Sequence, residues 1–271
     1  MNLQIIATSD FRQDLLNARL CESLPQELMS SGSVNVVDRH PDLVHLFGLW
    51  NKESIKAIHG FKVRRIPIVF TSLDGLPALN PTGKGVPGQS ALNSCVKKIS
   101  LLVEVVHVCG SVEETAIRDL CKEAKTVCIK NCYYTRLTSK PSMLQALEKL
   151  YVSVVEKHDE EVRQTITGHI KEANITDKAM ATIASRLLML HTLYIKGSIP
   201  QNFLDDLSAL LVETDYDEKH LCSVLRRLKL YKFASRAMQI LADCSTLTEG
   251  FMPMSPTDDK LTAGIKENVI Q

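Results

Sequence analysis

The sequence predicts an α/β fold, with a parallel sheet covered by helices in the N-terminal half and an all-α region after it. Six short runs rich in valine and isoleucine occur before residue 131, and segments with helical signals separate most of them. From about residue 140 onwards such runs disappear, and apolar residues recur at helical spacing. Strands that alternate with helices form parallel sheets buried on both faces.

The predicted strands are short and apolar, as strands buried on both faces usually are. They cover residues 3–8, 34–38, 43–47, 66–72, 103–109 and 126–130. Because connections between parallel neighbours are right-handed crossovers, this alternation predicts a Rossmann-like domain over residues 1–140.

Cap residues locate the helices between these strands. Asn51 can cap a helix that ends at Gly60. Ser111, followed three residues later by Glu114, has the pattern of a capping box for a helix over 112–123.

A helical domain is predicted over residues 141–250. Pro141 opens its first helix, and Gly197 ends a later one. Further helices are predicted over about 160–172, 176–195, 199–213 and 217–243. The end of the chain, residues 251–271, is polar and contains prolines, so we expect a loosely ordered tail there.

Composition narrows the functional class. The 271 residues carry a net charge of +1, which offers no broad field to a polyanion, so nucleic acid is not an expected partner. No apolar run approaches the roughly 20 residues of a membrane span, and the N-terminus lacks a signal-peptide pattern, so we expect a cytoplasmic protein.

Single cysteines and histidines give no strong signal for metal or cofactor. Most of the eight cysteines lie in apolar patterns, where a thiol behaves as a small hydrophobe, and we predict neither a metal site nor a cofactor. His45 lies inside a predicted strand, and we interpret it as a buried, hydrogen-bonded residue rather than a base.

The predicted binding site lies at the carboxyl ends of three strands, where open parallel sheets bind ligands. Candidate residues follow the first, third and fourth strands: Ser9, Asp10, Gly48, Trp50, Asn51, Asp74 and Gly75. Trp50 could form the wall of a ligand cleft at this edge, or it could pack under its own helix as core.

Several phrases occur in an order that resembles a known family. They are PDLVHLFGLWNKESIKAI, RRIPIVFTSLDGL, VVHVCGSVEETAIRDL and KTVCIKNCYYT. Over about residues 1–155 the chain resembles the N-terminal, acceptor-side half of family 4 glycosyltransferases, which have the two-domain GT-B architecture. The resemblance implies a sheet that holds the acceptor side of a sugar-transfer site.

The chain also departs from that family. Asp74 stands before Gly75 where the family commonly has a histidine, and it is the candidate catalytic residue. The helical region is too poor in strands for the family's nucleotide-sugar-binding domain. The phrase GKGVPG, Gly83 to Gly88, matches a dinucleotide pattern, but its proline and loop-like surroundings favour a lid or acceptor loop.

Two functional classes follow from the sequence. One is a glycosyltransferase-like protein of glycan biosynthesis that has only the acceptor-binding half, lacks independent sugar-transfer activity and depends on a partner for the donor site. The other is a non-catalytic protein-interaction or dimerisation module on a Rossmann-like scaffold. For the second class, the basic cluster that includes Arg226, Arg227 and Lys229 is the candidate partner surface.

Overall fold

The structure is a computed structural model that describes residues 1–32, 34–73, 89–133 and 138–270. The chain forms two compact units, Met1–His158 and Asp159–Gln271. The boundary between them falls within one long helix, Lys140–Glu172, and each unit has its own hydrophobic core.

Unit 1 is built on a six-stranded parallel sheet with the strand order β2-β1-β3-β4-β5-β6. Its strands are β1 Asn2–Ala7, β2 Asn35–Val36, β3 Leu43–Phe47, β4 Ile68–Thr71, β5 Val105–Val108 and β6 Thr126–Cys128. Register follows from the pairs Ile5 with His45, His45 with Val69, and Thr71 with His107.

Helices cover both faces of this sheet, which confirms the predicted α/β class. They are α1 Leu15–Ser30, α2 Lys52–Val63, α3 Gln89–Leu102, α4 Ser111–Leu120 and α5 Lys140–Glu172. Residues alternate along each strand, so that Leu43 and Phe47 pack with α1 and α5, whereas Val44 and Leu46 pack with α2, α3 and α4.

The caps predicted in unit 1 are partly wrong. The Asn51 side chain caps α2, as expected, but the helix continues through Gly60 to Val63. The predicted capping box of Ser111 does not form, because Ser111 is already helical and Gly110 occupies the cap position. Helix α5 is continuous to Glu172, so the separate helix expected near 160–172 is its second half.

Unit 2 is a helical unit with one short strand pair. After the end of α5 it contains α6 Lys178–Lys196, β7 Ile199–Pro200, α7 Gln201–Glu213, α8 Glu218–Arg227, α9 Tyr231–Cys244, α10 Lys260–Lys266 and β8 Val269–Ile270. Strands β7 and β8 pair in parallel. The sequence did not predict this pair, because two-residue strands leave no periodic pattern.

The single helix predicted over 217–243 is two helices, α8 and α9. The Leu230 amide donates to the Leu225 carbonyl oxygen at 2.8 Å, and the Lys229 amide donates to Arg226 at 3.0 Å. This is the Schellman pattern, with Lys229 in the left-handed region at φ 56°. Since lysine occupies the position that usually carries glycine, the sequence lacks the expected stop signal.

The C-terminal segment is folded, which corrects the expectation of a loosely ordered tail. Met252, Met254 and Ile265 are buried in the core of unit 2. The Arg236 guanidinium forms a salt bridge with Asp259 at 2.6 Å, and hydrogen bonds from Arg236 lower the pKa of that carboxyl far below its usual range. Apolar residues in this segment are therefore buried in the core even though their spacing shows no helical or strand period.

Within the described ranges, none of the helices is both long enough and apolar enough to cross a membrane.

Candidate functional site

The candidate site lies where the order of the strands reverses. From β1 the chain crosses to β2 on one side, and from β3 it crosses to β4 on the other side. The loops that follow the neighbouring strands β1 and β3 therefore run in opposite directions. In open α/β sheets, ligands bind outside the carboxyl ends of the strands at this switch point. Five predicted residues lie on these two loops: Ser9, Asp10, Gly48, Trp50 and Asn51.

Asp10 is the centre of the hydrogen bonds in the loop after β1. Its Oδ1 accepts from Thr8 Oγ1 at 2.5 Å and from the Phe11 amide at 2.8 Å, and Asn51 Nδ2 donates to Oδ2. Burial raises the pKa of Asp10, but these hydrogen bonds outweigh it and lower the pKa below its usual value. Asp10 therefore presents a negative charge at the switch point at neutral pH.

Asn51 and Glu53 connect the two loops. Asn51 Oδ1 accepts from the Ser54 amide at 3.1 Å, so one amide group caps α2 and also contacts Asp10. Glu53 Oε1 accepts from the Ser9 amide at 3.0 Å and from Ser9 Oγ at 2.8 Å. Glu53 is not among the residues predicted from the sequence. Its place in the first turn of a helix that starts at this edge of the sheet is the sequence feature that could have indicated it.

Gly48 is required by close packing at the start of the second loop. A Cβ there would lie well inside van der Waals contact with Ser54 Oγ and 3.3 Å from Phe70 Cε2. Ser54 is fully buried, and its hydroxyl donates to the Leu49 carbonyl oxygen at 2.6 Å. The loop after β3 therefore approaches α2 more closely than a side chain would allow.

Trp50 lies in the core, as the packing alternative expected. It is only 5% exposed, and its ring packs edge-on against Phe70 with centroids 5.0 Å apart. The indole therefore does not form an exposed cleft wall. Asp74, Gly75 and the loop Gly83 to Gly88 lie outside the described residues.

A chain of buried hydrogen bonds runs beneath this edge, on the face covered by α5. His45 on β3 bonds Tyr151 Oη through Nδ1 at 2.7 Å and Thr71 Oγ1 through Nε2 at 2.7 Å. Thr71 bonds His107 Nδ1 at 2.8 Å, and His107 Nε2 bonds the Ile129 carbonyl oxygen at 3.0 Å. His45 is thus buried and hydrogen-bonded, as its sequence context indicated.

One carbonyl group determines the direction of every hydrogen bond in this chain. Because the Ile129 oxygen only accepts, His107 must carry its proton on Nε2, so that Nδ1 accepts from Thr71. Thr71 then accepts from His45 Nε2, and His45 Nδ1 accepts from Tyr151. This holds while both imidazoles are neutral; burial lowers the pKa of His107 to about 4 and that of His45 well below 6.5.

A second pair of titratable groups lies at the carboxyl end of β5. Glu113, in the first turn of α4, accepts from the Cys109 amide through Oε2 at 3.1 Å, and burial raises the pKa of Glu113 to about 7. Burial and the Glu113 charge raise the pKa of the Cys109 thiol to about 12. Glu113 is not among the residues predicted from the sequence, since only the fold buries most of its carboxyl group.

The predicted partner surface is exposed at all three of its residues, Arg226, Arg227 and Lys229. It does not lie along one continuous helix, as the predicted helix over 217–243 implied. Two of its cations lie in the last turn of α8 and the third lies in the α8–α9 junction. The Arg226 guanidinium also lies 4.3 Å from the centroid of the Tyr231 ring.

Metal-binding groups of three or more His, Cys, Asp or Glu side chains do not occur among the described residues, and all eight cysteines are free. Comparison of the chain with protein-family models, with curated proteins and with solved structures finds no match. The class that fold and site define is therefore an open, doubly wound α/β unit with a polar switch point, followed in the chain by a helical unit.

Proposed function

We propose that this chain is a glycosyltransferase-like protein of glycan biosynthesis whose N-terminal unit binds a sugar or another hydroxyl-rich acceptor. The observation that carries the proposal is the convergence of Ser9, Asp10, Asn51 and Glu53 at the switch point. Hydroxyl groups both donate and accept, so a rim of carboxylate, amide and hydroxyl groups suits them.

The geometry of these groups supports recognition of hydroxyls. Ser9 and Glu53 are exposed, and Glu53 is held by two hydrogen bonds from Ser9 before any ligand arrives. A carboxylate has about four acceptor positions, so Glu53 can accept from a ligand hydroxyl while it keeps both bonds. Such pre-organisation lowers the entropic cost of binding.

The proposal includes the absence of independent sugar transfer. A nucleotide-sugar site needs a strand, a phosphate-binding turn and a helix in succession. The described residues of unit 2 form helices and two strands of two residues each, which supports dependence on a donor site outside this part of the chain.

Binding of free sugars and nucleotide-sugars to the full chain tests the proposal. Trp50 is the single tryptophan and lies in unit 1, so its fluorescence reports thermal unfolding of that unit alone. We expect free sugars, and not nucleotide-sugars, to raise the transition temperature. Glu53→Gln should abolish most of this shift, because a neutral amide is a weaker acceptor, whereas Glu161→Gln, an exposed position in unit 2, should retain it.

Three other outcomes would contradict parts of the proposal. A larger shift with a nucleotide-sugar than with its free sugar would show that a donor site exists. An equal loss of the thermal shift in Glu53→Gln and Glu161→Gln would show that Glu53 does not bind the sugar. If none of the sugars shifts the transition, the protein-interaction module becomes the better-supported function. The observation that favours it is that Arg226, Arg227 and Lys229 are all exposed, in the last turn of α8 and the residues just after it.

A further inference from the structure

The hydrogen-bonded chain Tyr151–His45–Thr71–His107, here called the relay, joins three neighbouring strands to helix α5. We propose that the relay is an acid-sensitive device that couples protonation of His107 on β5 to the attachment of α5 at Tyr151. The proposal is independent of sugar binding, since none of these residues lies on the switch-point loops.

The coupling follows from the single direction of the hydrogen bonds. When His107 takes a proton from solvent on Nδ1, that nitrogen becomes a donor and can no longer accept from Thr71. Along the relay, His45 Nε2 is then the acceptor left for the Thr71 hydroxyl, and Thr71 can donate to it once His45 carries its proton on Nδ1. His45 Nδ1 now donates to Tyr151, and the Tyr151 hydroxyl loses its acceptor.

This loss acts on α5 because Tyr151 is completely buried. Tyr151 and its neighbours Leu147, Leu150 and Val154 form the part of α5 that packs on the sheet. A buried donor without an acceptor is costly, whereas the same group in water is not. Protonation of the strand β5 histidine therefore favours exposure of the helix.

Within the relay, the two imidazoles are the groups that take up a proton in acid. His107 lowers the pKa of His45, and Glu148 on α5 helps to keep Tyr151 protonated. Cys21 on α1 packs against the hydrophobic cluster that contains Tyr151, and burial raises the pKa of the Cys21 thiol to about 11.

Two more groups follow β6 on this face, Cys132 and Tyr133, and burial raises the pKa of both. Both groups are therefore uncharged throughout the acid range.

An acid titration of the full chain tests the device. Trp50 fluorescence follows unit 1, while far-UV circular dichroism follows both units. His107→Gln can donate to Ile129 and accept from Thr71 but cannot take a proton. We expect its acid midpoint to lie about one pH unit below that of the wild type. His59→Gln, an exposed position on α2, should leave the midpoint unchanged.

A double-mutant comparison separates coupling from simple burial of a histidine. In a Tyr151→Phe background there is no hydroxyl to lose its acceptor, so His107→Gln should shift the acid midpoint by less than half as much. An equal shift in both backgrounds would refute the coupling, and no shift in either would refute the device.

If His107→Gln does not fold, the wild-type protein still decides the question. Nitrogen-15 NMR of the imidazoles should show both histidines with the proton on Nε2 at neutral pH and neither titrating near 6.5. A proton on Nδ1 of either ring, or an ordinary titration of His107, would overturn the proposal.

Discussion

Replacement of Gly48 by alanine should destabilise unit 1 through one identifiable contact. The added Cβ would overlap Ser54 Oγ and lie 3.3 Å from Phe70 Cε2. Ser54 can avoid the overlap only by turning its hydroxyl away from the Leu49 carbonyl oxygen, which it contacts at 2.6 Å. Since Ser54 is fully buried, the hydroxyl would then have no access to water.

The expected cost of Gly48→Ala is about 2 kcal/mol, the middle of the range for overpacking a tight site. A buried hydroxyl that loses its hydrogen bond costs a similar amount, about 1–3 kcal/mol. Urea denaturation followed by Trp50 fluorescence measures the free energy of unfolding of unit 1. The partner mutation Ser54→Ala removes the overlapping oxygen but leaves Phe70 Cε2 and the residue 54 Cβ at 3.3 Å, so Gly48→Ala should cost about 1 kcal/mol or less in that background.

Gly60→Ala is the matched control. Gly60 is an exposed position in the last turn of α2, and an added Cβ there would meet no atom within 4 Å. Alanine should therefore stabilise the helix by about 0.5–1 kcal/mol. If Gly48→Ala is as harmless as Gly60→Ala, or equally costly with and without the Ser54 hydroxyl, close packing at the loop is not the reason for the glycine.

Two further predictions concern pH and unit 2. Glu113 has its pKa raised to about 7 in the fold against 4.5 unfolded, so the folded state binds more protons between these values and loses stability as pH rises through them. The wild type should therefore lose roughly 3 kcal/mol of unfolding free energy relative to Glu113→Gln as the pH rises from 4.5 to 8. Urea denaturation measures this difference, and a difference that does not change with pH would refute the raised pKa. Gly197 ends α6 in the left-handed region at φ 80°, so Gly197→Ala should lower the free energy of unfolding of unit 2 by about 1 kcal/mol, measured by circular dichroism. Gly168→Ala in α5, where an added Cβ meets no atom within 4 Å, should not lower it. Equal effects of the two substitutions would contradict the conformational reason.

Strand positions could be predicted because the local pattern and the tertiary environment agree. Continuous runs such as Leu43–Phe47 are buried at every residue, and a strand covered on both faces requires that composition. Asn51 and Gly197 were also predictable, since a capping side chain and a left-handed residue act within one turn of the chain.

Other features depended on contacts between distant residues. The sequence does not show that Lys229 takes the glycine position of a helix end, because the buried Leu225 and Leu230 stabilise that turn. The tail prediction failed for a similar reason. A few methionines and a salt bridge suffice to hold a segment once a core is available, even though its local composition is polar.

The amino-acid sequence by itself determined the alternation of strands and helices, the carboxyl edge as the place for polar loops, and the helical nature of the second half. Tertiary structure alone decided that Trp50 packs inside, that Glu53 joins Ser9 at the switch point, and that His45 and His107 share one hydrogen-bonded chain. Local preferences extend over a few residues, so they set elements and caps. Which side chains meet depends on strand order and register, and these arise only when distant segments pack together.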